Sequence, residues 1–391
     1  LKLAFSPGLR VATALLSMST FMGVSSAADH PYRVGLMLPA TGTYAALGTA
    51  IENGFRLYVD QQGGKLGGRT IEIVTVDDES NPAKATDNIN RLVKRDRVDA
   101  VVGTVHSGVA MAMVRVARAT NTLLIIPNAG AAAFTGALCA PNVFRTSFTN
   151  WQPAYAMGVA AAQQGAQTAV TISWRYASGE ESANGFKEGF EKHGGKVIDQ
   201  LYLPFPNVEF QPLLTRIASL KPDATYAFFA GGGAVKFVND YAAAGLKDSI
   251  ALFSPGFLTE GTLPGQGQAA QGLYSVMHYA DGLDTPKDNA FRAAYEQAHG
   301  VIPDVYAVQG YDAAQLLATG LAAVDGDSSR TEQMYVAMSG ATIDSPRGPF
   351  TLSSANNPVQ TMYLRKVDGL ENKVIGVATP ALADPAVGCP M

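Results

Sequence analysis

The chain has 391 residues, 47% of them hydrophobic and 16% charged, which suffices for two sizeable cores and excludes a disordered polymer. Its 29 basic and 33 acidic residues leave a net charge of −4 with no basic stripe, which argues against a nucleic-acid partner. Five histidines without ligand spacing point away from a metal site, and the absence of phosphate-loop, H-E-x-x-H and C-x-x-C motifs leaves no cofactor expected.

In chain order, Lys2 and Arg10 precede an apolar run from Val11 to Val24 that ends in Ser25-Ser26-Ala27-Ala28. That is the three-part layout of a secretory signal over residues 1–28, with Ser26 and Ala28 at the small positions a signal peptidase needs. The run is shorter than the roughly 20 apolar residues that cross a bilayer, so the mature exported chain is expected to begin near Asp29, after cleavage near Ala28. In an oxidising compartment Cys139, in "GALCAPN", and Cys389, in "AVGCPM", are expected to pair, the alternative being two free buried thiols.

Short β-branched runs then alternate with helical patterns: Arg33 to Leu38 and a helix from Ala46 to Gln62, Ile71 to Val76 and Ala83 to Arg95, Ala100 to Val102 and Val109 to Thr120, then Leu123 to Ile126. Residues 144–154, "FRTSFTNWQPA", carry neither period and read as a crossing between lobes. A second series follows: Thr168 to Ser173 with Glu181 to His193, Val197 to Leu203 with Phe210 to Leu220, Ala224 to Phe229 with Ala234 to Ala244, and Ile250 to Phe253. After Gly272 come "LYSVMHYAD", helices at Asn289 to His299 and Val308 to Val324, and strands near Phe350 and Thr361 to Lys366, too little for a third domain. Such alternation builds parallel sheets with helices on both faces, and ligands of these sheets sit beyond the carboxyl ends of the strands.

The loops after strands are therefore the informative positions. Tyr44 stands at the tip of "LPATGTYAALG", either facing the cleft or packing on its own helix. In "GTVHSGVA" a nucleophile elbow would need glycines flanking Ser107, and they are missing. Ser107 fits better as an N-cap, its hydroxyl and the free N–H groups of Gly108 and Val109 presenting a helix end that favours a carboxylate; capping without a ligand is the alternative. His106 either adds a hydrogen bond or lines the wall. Further on, "IIPNAGAAAF" offers small residues for close backbone approach, "SWRYASGEE" puts Trp174 and Tyr176 after a strand, and "FFAGGGAVKF" puts three glycines there without dinucleotide spacing.

Together "VGLMLPATGTYAALGTAIENGFRLYVDQQGG", "VDDESNPAKATDNINRLV", "VGTVHSGVAMA" and "YAVQGYDAAQLL" resemble the branched-chain amino-acid type of ABC-transporter solute-binding protein, from about residue 32 to 366. The resemblance implies an α/β class I periplasmic binding fold of two doubly wound parallel-sheet lobes joined by three hinge crossings. Lobe 1 would hold residues 29–147 plus 278–355, and lobe 2 residues 148–277 plus 356–391 with the C-terminal tail. It further implies a monomeric periplasmic receptor without catalysis that presents a small molecule to an inner-membrane ABC permease.

In that family the ligand carboxylate is held at the positions matching Ser107 and Gly108, with backbone help near Asn128 and Ala129. The partners of an α-ammonium fall here on Gly130 and on Gly256 or Phe257, none of which can pair with a cation. An unpaired buried ammonium costs several kcal/mol, which selects against an amino acid. Tyr44, Trp151, Tyr176 and Phe257 would instead surround the cleft with rings, and Gly231, Gly232 and Gly233 would leave room for a planar body. The chain thus resembles the branch that binds aromatic carboxylates, such as benzoate or phenylpropanoid acids. Two alternatives stay open: an amino-acid or amide receptor, if Glu260 reaches the cleft, and an exported hydrolase using Ser107 with His106.

Overall fold

The alternation of strand and helix is realised in a computed structural model that describes residues 1–5 and 30–391; most of the expected leader and its cleavage site lie outside the described residues. The first lobe opens with β1 (Tyr32–Leu38), α1 (Ala45–Gln61), β2 (Lys65–Leu66), β3 (Arg69–Asp77), α2 (Pro82–Asn90), β4 (Ala100–Val102), α3 (Ser107–Thr120), β5 (Leu123–Ile126) and β6 (Val143–Arg145). Strand β1 is buried at almost every position, as expected of a strand covered on both faces. The second lobe follows with α4 (Trp151–Gln163), β7 (Thr168–Arg175), α5 (Ala177–Lys192), β8 (Lys196–Pro204), α6 (Gln211–Leu220), β9 (Ala224–Phe228), α7 (Gly231–Ala243), β10 (Ala251–Ser254), α8 (Leu263–Gln266) and β11 (Tyr274–Met277).

The chain then returns to the first lobe with α9 (Pro286–His299), α10 (Val305–Ala323) and α11 (Thr331–Ser339). Thr285 caps α9 through the Asp288 N–H, and Gly300 ends it in the left-handed region. Helix α10 is buried nearly all round and packs on α1. A Cβ on Gly54 would overlap the Ala307 carbonyl and one on Gly310 the Ile51 carbonyl, so the two backbones approach each other through glycine. Four strands close the chain: β12 (Thr342–Ile343), β13 (Phe350–Leu352), β14 (Pro358–Asp368) and β15 (Glu371–Leu382).

The first sheet runs β2-β3-β1-β4-β5-β6, parallel throughout except for β2. The nine-stranded second sheet runs β8-β7-β9-β10-β11 in parallel and continues antiparallel through β14, which also pairs with β15 and with β13. In the first sheet chain order reverses between β1 and β4, and in the second between β7 and β9. Loops leaving those strands therefore splay apart and open a crevice.

Several elements depart from the sequence expectation, the short β2, α8 and β12 and the helix α11 among them. Strand β6 and the start of α4 lie inside the segment read as a bare crossing, because a strand end, a passage and a first helical turn follow one another too quickly for any period to register. Strand β15 was not expected; it pairs with a strand on one side only, leaves many side chains exposed, Ile375 and Val377 among them, and is interrupted by Gly376 and Pro380.

The Sγ atoms of Cys139 and Cys389 lie at bonding distance, 2.05 Å, across 250 residues of sequence. A link over so long a loop restricts the unfolded chain strongly. Cys389→Ser is expected to lower the unfolding free energy by roughly 3–5 kcal/mol, measured by denaturant titration against the oxidised parent.

Candidate functional site

The two crevices face each other and enclose a tight cavity, with about 20 Å³ open to the centre of a water-sized sphere. The first lobe contributes Tyr44, Leu47, Val105, Asn128 and Gly130, and the crossing after β6 adds Phe148 and Asn150. From the second lobe come Tyr176, Ser178, Phe228, Ala230 and Phe257. None of these carries a charge at neutral pH, and aromatic and branched aliphatic side chains dominate the wall. Phe257 lies 5.0 Å from Phe148 and 5.5 Å from Phe228 between ring centroids, forming a continuous aromatic wall.

At the polar end two helix starts meet. His106, rather than Ser107, caps α3: its backbone is extended and its Nδ1 accepts the Gly108 N–H at 3.0 Å. Burial pushes the His106 ring down to about 4, so the neutral ring keeps Nδ1 as an acceptor. The expected Ser107 cap is corrected by one residue. Ser107 is already helical, and its hydroxyl meets that of Ser178 at 2.7 Å in the first turn of α5. The positive ends of α3 and α5 thus converge from opposite lobes, a setting that favours an anion.

Beside them the Tyr44 and Tyr176 hydroxyls meet at 2.9 Å, again across the lobes. Burial raises both, Tyr44 well above the usual phenol range and Tyr176 to about 12, so both stay neutral. The His106 ring stacks on Tyr176 with centroids 5.0 Å apart. Asn128 is steadied from behind, its Nδ2 donating to Gln309 Oε1 at 2.7 Å.

The remaining expected positions sit elsewhere. Ala129 is buried and spends its N–H on the Thr104 carbonyl at 2.9 Å, so that donor faces the protein rather than the cavity. Trp151 lines a different groove, stacked on Tyr155 at 4.6 Å with its Nε1 on Glu188, because α4 begins at this residue and turns the ring away. Gly231 is buried at the start of α7 with φ +55°, where a Cβ would overlap the Thr43 carbonyl oxygen of the opposite lobe. Gly232 has open space around it and is exposed. Gly231 therefore serves lobe contact, Gly233 packs against the Trp174 ring of its own lobe, and Ala230 takes the wall position.

Glu260 does not reach this cavity. Its buried carboxylate pairs with Arg365 and accepts the Val305 N–H at 3.2 Å, in a separate groove. Phe148, Asn150, Ser178, Phe228, Val105, Leu47 and Ala230 escaped the sequence reading. Of these only Ser178 carried a signal, since "YAS" opens a helix after a strand just as "VHS" does.

A family model described as periplasmic binding protein matches residues 31–373. The structure superposes, with a TM-score of 0.90, on a solute-binding protein of an ABC transporter from R. palustris in complex with benzoate, at 52% identity over 93% of this chain and 100% of that one. A second, from Rhodopseudomonas palustris BisB5 in complex with 3,4-dihydroxy benzoic acid, gives a TM-score of 0.86 at 31% identity over 91% and 99%. Among curated proteins, a Leu/Ile/Val-binding protein homolog 6 of Brucella melitensis is 29% identical over 90% of this chain and 92% of its own length. With a match that spans most of its length and two doubly wound lobes closed on one cavity, the chain belongs to the periplasmic binding protein family and has its class I fold.

Proposed function

We propose that the protein is the periplasmic solute-binding component of an ABC importer and that it carries a small aromatic monocarboxylate of the benzoate type. The observation that carries this reading is a cavity walled by Phe148, Phe228 and Phe257, free of charged side chains, onto which two helix starts converge. A planar ring fills the apolar part, and the carboxylate is met by the neutral hydroxyls of Ser178, Tyr44 and Tyr176 in the field of α3 and α5. Ring burial contributes roughly 2–3 kcal/mol and each hydrogen bond to the carboxylate about 1.5–3. The R. palustris relative with benzoate supports this choice.

The Brucella relative's name points instead to a branched-chain amino acid. That ligand brings an ammonium for which the cavity offers no acid, since Glu260 is held by Arg365. Titration of the purified protein with benzoate and, separately, leucine distinguishes the two. Benzoate at a hundredfold excess over its Kd should raise stability by about 2.7 kcal/mol, with leucine inert; a melting temperature raised by leucine and indifferent to benzoate overturns the reading.

A further inference from the structure

Away from the cavity, a second groove between the lobes holds two carboxylates at one helix start. Asp304 caps α10, its Oδ1 accepting the Tyr306 and Ala307 N–H groups at 3.0 Å each. Glu260 arrives from the other lobe, on the loop after β10, and its Oε2 takes the Val305 N–H of the same helix. Arg365 on β14 anchors its other oxygen and also donates to the Tyr279 carbonyl. A bond between a side chain of one lobe and the backbone of the other exists only while the lobes are together.

We propose that Glu260 is a positioning residue for closure: it fastens the closed lobes by capping α10 across their interface, and Asp304 makes that fastening proton-dependent. The ligand used to test this rests on the benzoate reading, but the latch itself does not. Closing brings Glu260 and Asp304 together against a single guanidinium, that of Arg365. Burial, and then the charge of Glu260, push Asp304 up to about 7. Burial also raises Glu260, against the pull of Arg365.

The other groups around the pair leave this balance in place. Asp281 is occupied by Arg292 at 2.6 Å and by the Asn372 N–H at 2.8 Å. Glu296 lies exposed at the groove rim, and Asp288 is engaged by the Tyr279 hydroxyl. Tyr279, Tyr295 and Tyr306 are raised by burial and remain neutral. Opening hydrates Asp304 and removes Glu260, so the closed form binds more protons than the open form. Closure is therefore favoured at low pH and loses that contribution as pH rises through about 7.

Calorimetry of the mature protein with benzoate tests this between about pH 8 and about pH 5.5, where benzoate stays ionised. The Kd should tighten by roughly 30-fold towards acid, as expected for uptake of one proton near pH 7. Asp304→Asn keeps an N-cap of equal quality and should bind at pH 8 as tightly as the parent at pH 5.5, with no slope. Glu260→Gln should keep a smaller slope, since burial alone still raises Asp304 when the neighbouring charge is gone. A parent Kd that does not change with pH, or an Asp304→Asn variant that keeps the slope, overturns the proposal. Should benzoate fail to bind at all, the functional reading falls alone, and X-ray scattering of the unliganded protein decides the latch. The radius of gyration should shrink on acidification in the parent and stay constant in Asp304→Asn; a parent radius indifferent to pH overturns it.

Discussion

Gly231→Ala is expected to weaken ligand capture by at least about a hundredfold while the protein still folds. The added methyl would overlap the Thr43 carbonyl oxygen in the closed arrangement, and the Cβ belongs to a backbone at φ +55°. In the folded second lobe alone the left-handed conformation costs about 1–2 kcal/mol, which the lobe can absorb. The overlap arises only when Thr43 of the first lobe comes down onto α7, so it acts on closure. Calorimetric affinity for benzoate, set beside the melting temperature of the ligand-free variant, separates the two effects. A Gly231→Ala variant that binds like the parent would show that the lobes need not approach this closely.

Phe257→Glu should abolish benzoate binding, with a loss beyond about a thousandfold. The residue lies in the aromatic wall between Phe148 and Phe228, so the new carboxylate would be buried among rings without a cation. An unpaired buried charge costs roughly 3–5 kcal/mol, and it repels a ligand that is itself anionic. The same substitution supplies the acid that an amino acid's ammonium requires. Titration of the variant with both ligands measures each consequence; undiminished benzoate affinity would remove Phe257 from the binding wall.

The lobes were legible because their strands are short β-branched runs followed by helical periods, and because parallel sheets place ligands at their carboxyl ends. Tyr44, Asn128, Gly130, Tyr176 and Phe257 stand in such loops and line the cavity. Val105 and Phe228 line it too, but an apolar residue at a strand end looks the same whether it meets a ligand or a core. Phe148 and Asn150 lie in an aperiodic passage, the same passage that made Trp151 look like a cavity ring. The shift of the α3 cap from Ser107 to His106 is a one-residue displacement at a helix end, where sequence pattern has least resolution. What becomes of Glu260 depends on Arg365, 105 residues further along, a pairing that no local pattern announces.

The pairing of α1 with α10 also dictates an order of assembly. Strands β7 to β11 and the helices between them are contiguous, so most of that half can condense from neighbouring sequence as the polypeptide is made. Its N-terminal counterpart must wait for a helix that is synthesised roughly 250 residues later, the kind of lag that makes non-local contacts slow to form. During that interval the glycine-bearing face of α1 stays wet, and a nascent chain cut short before Val305 would carry a permanently uncovered apolar stripe.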